Sequence, residues 1–259
     1  MASSQAPSSD PSATLEELFV RILNTNDDAI RTEANDSIIT IIDSYVRSDS
    51  IFSHTFSNLR FLGQVESPDS KLKIITWNLV LRNSSNKYFC YLIRKGKKNS
   101  PNLVYELKGE NKKEKIRNDI LYNADNWYGA LYYKIIPFMR NHSDYYLLLG
   151  LDNGNTQISR KIIDVLSFPQ DGGLILGNDS FIRDKTTRLR EVFEYSSDGI
   201  MTLRIQSRKM IVFDHLDAYS TGHQNDYDSY GAGLTFDGYV LKRGSWHFTS
   251  NIDVKNKKK

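Results

Sequence analysis

The sequence predicts a mainly β protein, an antiparallel multi-stranded sandwich or open barrel preceded by a short N-terminal helical hairpin. Two observations carry this. From about residue 56 to 254, strand-like segments rich in Tyr, Phe, Ile and Leu are interrupted by Gly, Asn and Asp, the punctuation of strands and turns. Ahead of them, apolar residues recur at the three- and four-residue spacing of an amphipathic helix.

Residues 1–13, made largely of Ser, Pro, Gln, Ala and Asp, read as a flexible tether. The helical hairpin is expected over 14–50. Thr14-Leu15-Glu16-Glu17 has the form of a capping box, in which the hydroxyl and the later carboxylate take up free amides at a helix start. Leu15, Leu18, Phe19, Ile22 and Leu23 make one apolar stripe, ending at Asn24-Thr25-Asn26. Asp27 and Asp28 open a second helix, where Ile30, Ala34, Ile38, Ile41, Ile42 and Tyr45 share a face. Two helices this short bury too little alone, so their stripe must lie on the β body or on a partner.

The β body spans 51–254. Strands are expected near 56–65, 71–82, 87–95 and 102–108, with Ser67-Pro68-Asp69-Ser70 as one of the turns. Lys108 to Asp125 breaks the pattern as a long exposed loop. Strands resume at Trp127–Phe138, Tyr145–Leu151, Ile158–Phe168, Leu174–Leu176, Arg188–Tyr195, Met201–Gln206, Met210–Leu216 and, in two pieces, Leu234–Trp246. Asp152-Asn153-Gly154-Asn155, Ser197-Asp198-Gly199 and Phe236-Asp237-Gly238 have hairpin-turn chemistry. A few propeller-like blades are a further arrangement for so many short strands, although no repeat recurs at a fixed period. Residues 255–259 form a basic tail.

Composition narrows function. Lys and Arg number 34 against 31 Asp and Glu, a net charge of +3 that implies no nucleic-acid partner. No apolar run approaches the roughly 20 residues of a membrane helix. The single cysteine, Cys90, lies among aromatics and reads as a buried thiol rather than a nucleophile or lipid attachment point.

No residue set points to catalysis, a cofactor or a metal. Glu191 and Glu194 point to opposite faces of a strand, so they cannot converge as an acid/base pair, and Glu194 among arginines reads as a cross-strand ion pair. Asp214 and His215 diverge for the same reason, which leaves a small-molecule hydrolase open only with a nucleophile from elsewhere. The histidines have no metal-ligand spacing, and Asp152-Asn153-Gly154-Asn155 lacks the later Glu of a calcium loop. Tyr219 to Tyr239 is the segment closest to a recognition surface, with Tyr227, Tyr230, Asp237 and Tyr239 supplying rings and carboxylate for a peptide or sugar. Phe19 and Ile38 of the hairpin are the other partner-binding candidates.

Several stretches carry a resemblance. They are Trp127-Tyr128-Gly129-Ala130-Leu131-Tyr132-Tyr133-Lys134-Ile135-Ile136-Pro137, Tyr145-Tyr146-Leu147-Leu148-Leu149-Gly150-Leu151-Asp152, Lys161-Ile162-Ile163-Asp164-Val165-Leu166-Ser167-Phe168 and Arg190-Glu191-Val192-Phe193-Glu194-Tyr195-Ser196. With Ile211-Val212-Phe213-Asp214-His215-Leu216 and Tyr230-Gly231 to Trp246, they resemble a family of uncharacterised exported β-rich proteins of the Bacteroidota. Where that family tends to carry an aromatic after the glycine, this chain has Leu151. The resemblance implies a periplasmic or outer-membrane-associated protein whose export signal has been removed, accessory to the type IX secretion system; the composition of residues 3–13 adds the expectation of an N-terminal membrane tether. The expected function is non-enzymatic binding of a protein partner in a secretion or cell-surface assembly. The alternative is an envelope protein that binds or processes carbohydrate.

Overall fold

The computed structural model describes residues 10–82, 85–110, 115–154, 156–170, 172–218 and 230–253, with backbone alone for 216–218 and 230–234. Two helices come first, α1 (Ser12–Asn24) and α2 (Asp28–Val46). The first sheet is the antiparallel meander β1 (Gly63–Glu66), β2 (Leu72–Val80), β3 (Asn86–Arg94) and β4 (Leu103–Glu110). The second begins with β5 (Leu131–Arg140), β6 (Ser143–Asp152), β7 (Ile158–Ser167) and the short β8 (Ile175–Leu176). The chain then starts a third sheet with β9 (Phe181–Arg183) and β10 (Thr186–Arg188), and returns to the second with β11 (Glu191–Ser196), which pairs with β7. It completes the third with β12 (Leu203–Ser207), β13 (Met210–Ala218), β14 (Tyr230–Lys242) and β15 (Ser245–Ile252).

These elements stack in four layers. Alternate residues of a strand face opposite ways, so in β2 Ile75, Trp77 and Leu79 meet the helices whereas Leu72 and Ile74 meet the second sheet. In the second sheet, Leu148, Ile162 and Leu166 face the first sheet, and Leu149, Ile163 and Val165 face the third. The middle layer is therefore covered on both sides, and the fold is a stacked sandwich in which the described strands close no barrel.

The hairpin's stripe packs on the β body. Ile38 and Ile42 lie in one cluster with Trp77 and Tyr91, and the Trp77 indole donates to Asn35 Oδ1 at 2.9 Å. Each such buried side chain contributes roughly 1.5–3 kcal/mol. At α2 the Asp27 carboxylate accepts from the Ala29 amide at 2.8 Å and caps the helix start. At α1 it is otherwise: the helix begins at Ser12 and has no side-chain cap from Thr14. Pro11 supplies a φ of −75°, and Asp10 accepts from the Ser12 amide at 3.0 Å, so the start lies two residues before the capping-box sequence.

Three further expectations are corrected. Phe236-Asp237-Gly238 is no turn but the middle of β14, where register with β15 shifts between Phe236 and Gly238. A Cβ on Gly238 would sit 2.2 Å from the Ile211 carbonyl oxygen, so the glycine marks a bulge and a close strand approach. Arg188–Tyr195 is not one strand but two, β10 and β11, in different sheets. Ser197-Asp198-Gly199 is a turn, though it carries the chain from the second sheet to the third and closes no hairpin.

The segment expected as an exposed loop after Lys108 is held from beneath between 115 and 130. Arg190, wholly buried on the second sheet, donates to the carbonyls of Arg117 and Ile120 in that segment and to Leu176 at 3.0 Å. Its Nε reaches Asp164 Oδ2 at 2.9 Å, and Asp164 also accepts from Tyr128 at 2.8 Å and from the Val165 amide at 2.7 Å. Burial pushes the Asp164 carboxyl up, against the pull of Arg190, Tyr128 and that amide. Replacing Arg190 by Met leaves a buried carboxylate without its cation and the carbonyls of Arg117 and Ile120 without this donor, while the Leu176 carbonyl keeps the Tyr122 amide. Arg190→Met is expected to cost about 3–5 kcal/mol in urea unfolding, and a loss below about 1 kcal/mol would show that the segment does not depend on this pair.

Candidate functional site

A cleft of about 530 Å³ opens where the helices, the first sheet and the second sheet meet at their edges. Its walls come from α1 (Phe19, Ile22, Leu23), the segment entering β1 (Arg60, Phe61), the first residue of β1 (Gly63) and β2 (Thr76, Asn78, Val80). Leu131 to Tyr133 of β5 and Leu151 and Asn153 at the end of β6 complete it. The volume lies within the roughly 300–1,000 Å³ of ligand-binding clefts.

Local sequence explains the shape. β1 is only four residues long, so the first sheet ends early on this side. Gly63 leaves its place empty because a Cβ there would sit 2.7 Å from Thr76 Oγ1. Between Tyr132 and Lys134 the register of β5 against β6 shifts, and Tyr133 is the extra residue. Such a bulge re-aims a side chain. The Tyr133 ring reaches the rim, its hydroxyl donates to the Leu203 carbonyl at 3.0 Å and the Lys161 ammonium lies 4.8 Å from its ring centre. Burial raises the Tyr133 phenol and lowers the Lys161 ammonium relative to their ordinary values.

The cleft is apolar with a positive margin. Its lining contains Arg31 and Arg60 but no Asp or Glu. Arg31 is engaged within the fold, donating to the carbonyls of Thr25 at 2.9 and 3.1 Å and of Val80 at 2.8 Å. Arg60 is exposed and pairs with no acid among the described residues. At the floor, Thr76 is fully buried and its hydroxyl has no hydrogen-bond partner among the described residues.

The residues that the sequence singles out fall elsewhere, with one exception. Phe19 is buried but forms part of the cleft wall. Ile38 of α2 is fully buried against the first sheet. Tyr239 is fully buried in the core between the second and third sheets and donates to Glu191 Oε1 at 2.7 Å. Asp237 is also buried, with Oδ2 2.6 Å from His215 Nδ1 and Oδ1 accepting from the Asn251 amide at 3.2 Å. These two are thus structural members of β14 rather than loop groups. Tyr230 pairs through its backbone with Ala218, and Tyr227 lies outside the described residues.

The charged groups considered for chemistry are tied into the fold. Asp214 accepts from the Thr202 amide at 2.7 Å while His215 turns to Asp237, so the adjacent pair diverges as strand geometry requires. Glu194 faces its register partner Arg160 across β11 and β7, with a 2.8 Å hydrogen bond. Arg160 also donates to Asp152 at 2.8 Å, and Asp152 accepts from Tyr88 at 2.7 Å and from the Gly154 amide at 2.8 Å in the β6–β7 connection. Glu191 pairs with Arg188 at 3.1 Å. The Cys90 thiol is 1% exposed, and burial raises it well above its ordinary value. Among the described residues, no group of His, Cys, Asp or Glu is arranged to hold a metal ion, and no helix is long and apolar enough to cross a membrane.

No protein-family model matches the chain, no curated protein matches its sequence, and no solved structure matches its fold. Thr76→Val removes a buried hydroxyl that makes no hydrogen bond among the described residues and keeps the side chain's shape. It is expected to stabilise the protein by about 1 kcal/mol in urea unfolding. A loss of that size would show that the hydroxyl is bonded in solution.

Proposed function

We propose that this protein is a non-enzymatic binding protein that takes a segment of a protein partner into the cleft between α1, β2 and β5. The observation that carries the reading is a concentration of exposed apolar side chains. Nine large hydrophobic residues are exposed among the described ones, and four of them, Leu23, Phe61, Val80 and Tyr133, line this cleft. Scattered singly they would need no explanation; gathered at one concave site they mark an interaction surface.

The paired state of Asp152, Glu191, Glu194 and Asp237 supports a binding role over acid/base chemistry. Burial of Asp237 and Tyr239 removes two of the groups that motivated a carbohydrate surface, which favours a protein partner over a glycan. The resemblance to exported proteins of the Bacteroidota supports a setting in the cell envelope, periplasmic or outer-membrane-associated, as an accessory component of a type IX secretion or cell-surface assembly. Tethering through the N-terminal segment belongs to the same proposal.

Site-specific photo-crosslinking in the native host tests this. A photoreactive phenylalanine analogue at Phe61 or Leu23 is expected to join the chain to one and the same protein, with no adduct from Met139 or Ile200, which are exposed but lie outside the cleft. Adducts from Met139 and Ile200 alone, or none at either cleft position, would contradict it.

A further inference from the structure

The cleft carries information about what it binds. We propose that its occupant is a peptide segment of apolar side chains flanked by a carboxylate, with Arg60 as the residue that reads the acid; this deepens the proposed function and rests on the cleft being the docking site. Three observations point to it.

The first is charge without a counterpart. Of the two arginines in the lining, Arg31 is committed to backbone carbonyls and lies 4.0 Å from Asp28, whereas Arg60 is exposed and unpaired among the described residues. Lys161 stands beside the cleft, opposite Leu151 in register, with the Tyr133 ring as its neighbour and no acid in contact among the described residues. Neither Asp nor Glu lines the cleft to neutralise this positive margin. A docked carboxylate supplies the missing partner, and complementarity of this kind sets specificity more than raw affinity.

The second is the apolar wall. Phe61, Leu23, Val80 and Tyr133 offer surface to side chains rather than to a polyanion, and a nucleic acid needs a far larger basic face than two unpaired cations provide. The third distinguishes a peptide from an acyl chain. Among the described residues, Asn153 lines the cleft with no hydrogen bond to its side-chain amide, and Asn78, which donates to Asn86 at 2.8 Å, has no donor on its own side-chain oxygen. Carboxamides match the donors and acceptors of a peptide backbone, and a hydrocarbon tail has none to offer.

The test uses the full chain and an array of short synthetic peptides in three sets. Each set shares an apolar core of Leu, Val and Phe, flanked by Asp and Glu, by Lys, or by Ser. The acid-flanked set is expected to bind at least about tenfold more tightly than the Lys-flanked one, and Arg60→Glu is expected to reverse that order without moving the thermal midpoint, since Arg60 is exposed. Equal binding of all three sets, abolished by Phe61→Ser, would overturn the acid reading and leave the docking site standing. Acid-selective binding unaffected by Phe61→Ser and Arg60→Glu would overturn both. Binding of oleate vesicles with no peptide retained would overturn the proposal in favour of a lipid ligand.

Discussion

Burying both faces of a sheet forbids any polar side chain in its middle that does not bring its own partners. The second sheet of this protein lives under that constraint. Leu147, Leu148 and Leu149 of β6, and Ile162, Ile163, Val165 and Leu166 of β7, fill the layers on either side. Asp164 sits among them with no exposure, and it is admissible because Arg190, Tyr128 and a backbone amide converge on it. Through Arg190 the same pair fixes the 115–130 segment and the approach of β11, so one satisfied charge organises a part of the chain with no regular strand.

Cross-layer polar contacts follow the same rule. Tyr88 of the first sheet donates to Asp152 of the second, and Tyr239 of the third donates to Glu191 of the second. Each acid is matched by an arginine, Arg160 or Arg188. Such links commit these interior acids to holding the layers together, while part of the apolar surface remains exposed to solvent. That surface is concentrated where β1 stops short, a bulge turns Tyr133 outward and Gly63 keeps its place open.

Much of the fold is legible in the sequence because strand period and helix period are local. The apolar stripe of α2, the start of β7 at Ile158 and the pairing of Glu194 with a cross-strand arginine all follow from neighbours in the chain. What escapes is set by distant neighbours. Asp237-Gly238 has turn chemistry, yet it lies within β14 at a register shift, where the carbonyl of Ile211 and the side chain of Ile252 leave no room for a Cβ at position 238. Arg190 finds its partner Asp164 26 residues earlier in the chain, a pairing that no local period reveals. The cleft is hidden for the same reason: Leu23 continues a helical stripe and Phe61 sits in a strand-like run, and only the absence of a facing layer leaves both exposed. Tyr239 errs in the other direction, a tyrosine among glycines and acids that the third sheet turns inward.

The central claim, that the doubly covered middle sheet is the mechanical core on which helices and outer sheets depend, is tested most directly by native-state hydrogen exchange. The amides of Leu148, Leu149, Ile162 and Ile163 are expected to be the last to exchange, opening only with global unfolding. Exchange of these four ahead of the amides in β2, β3 or β13 would contradict it.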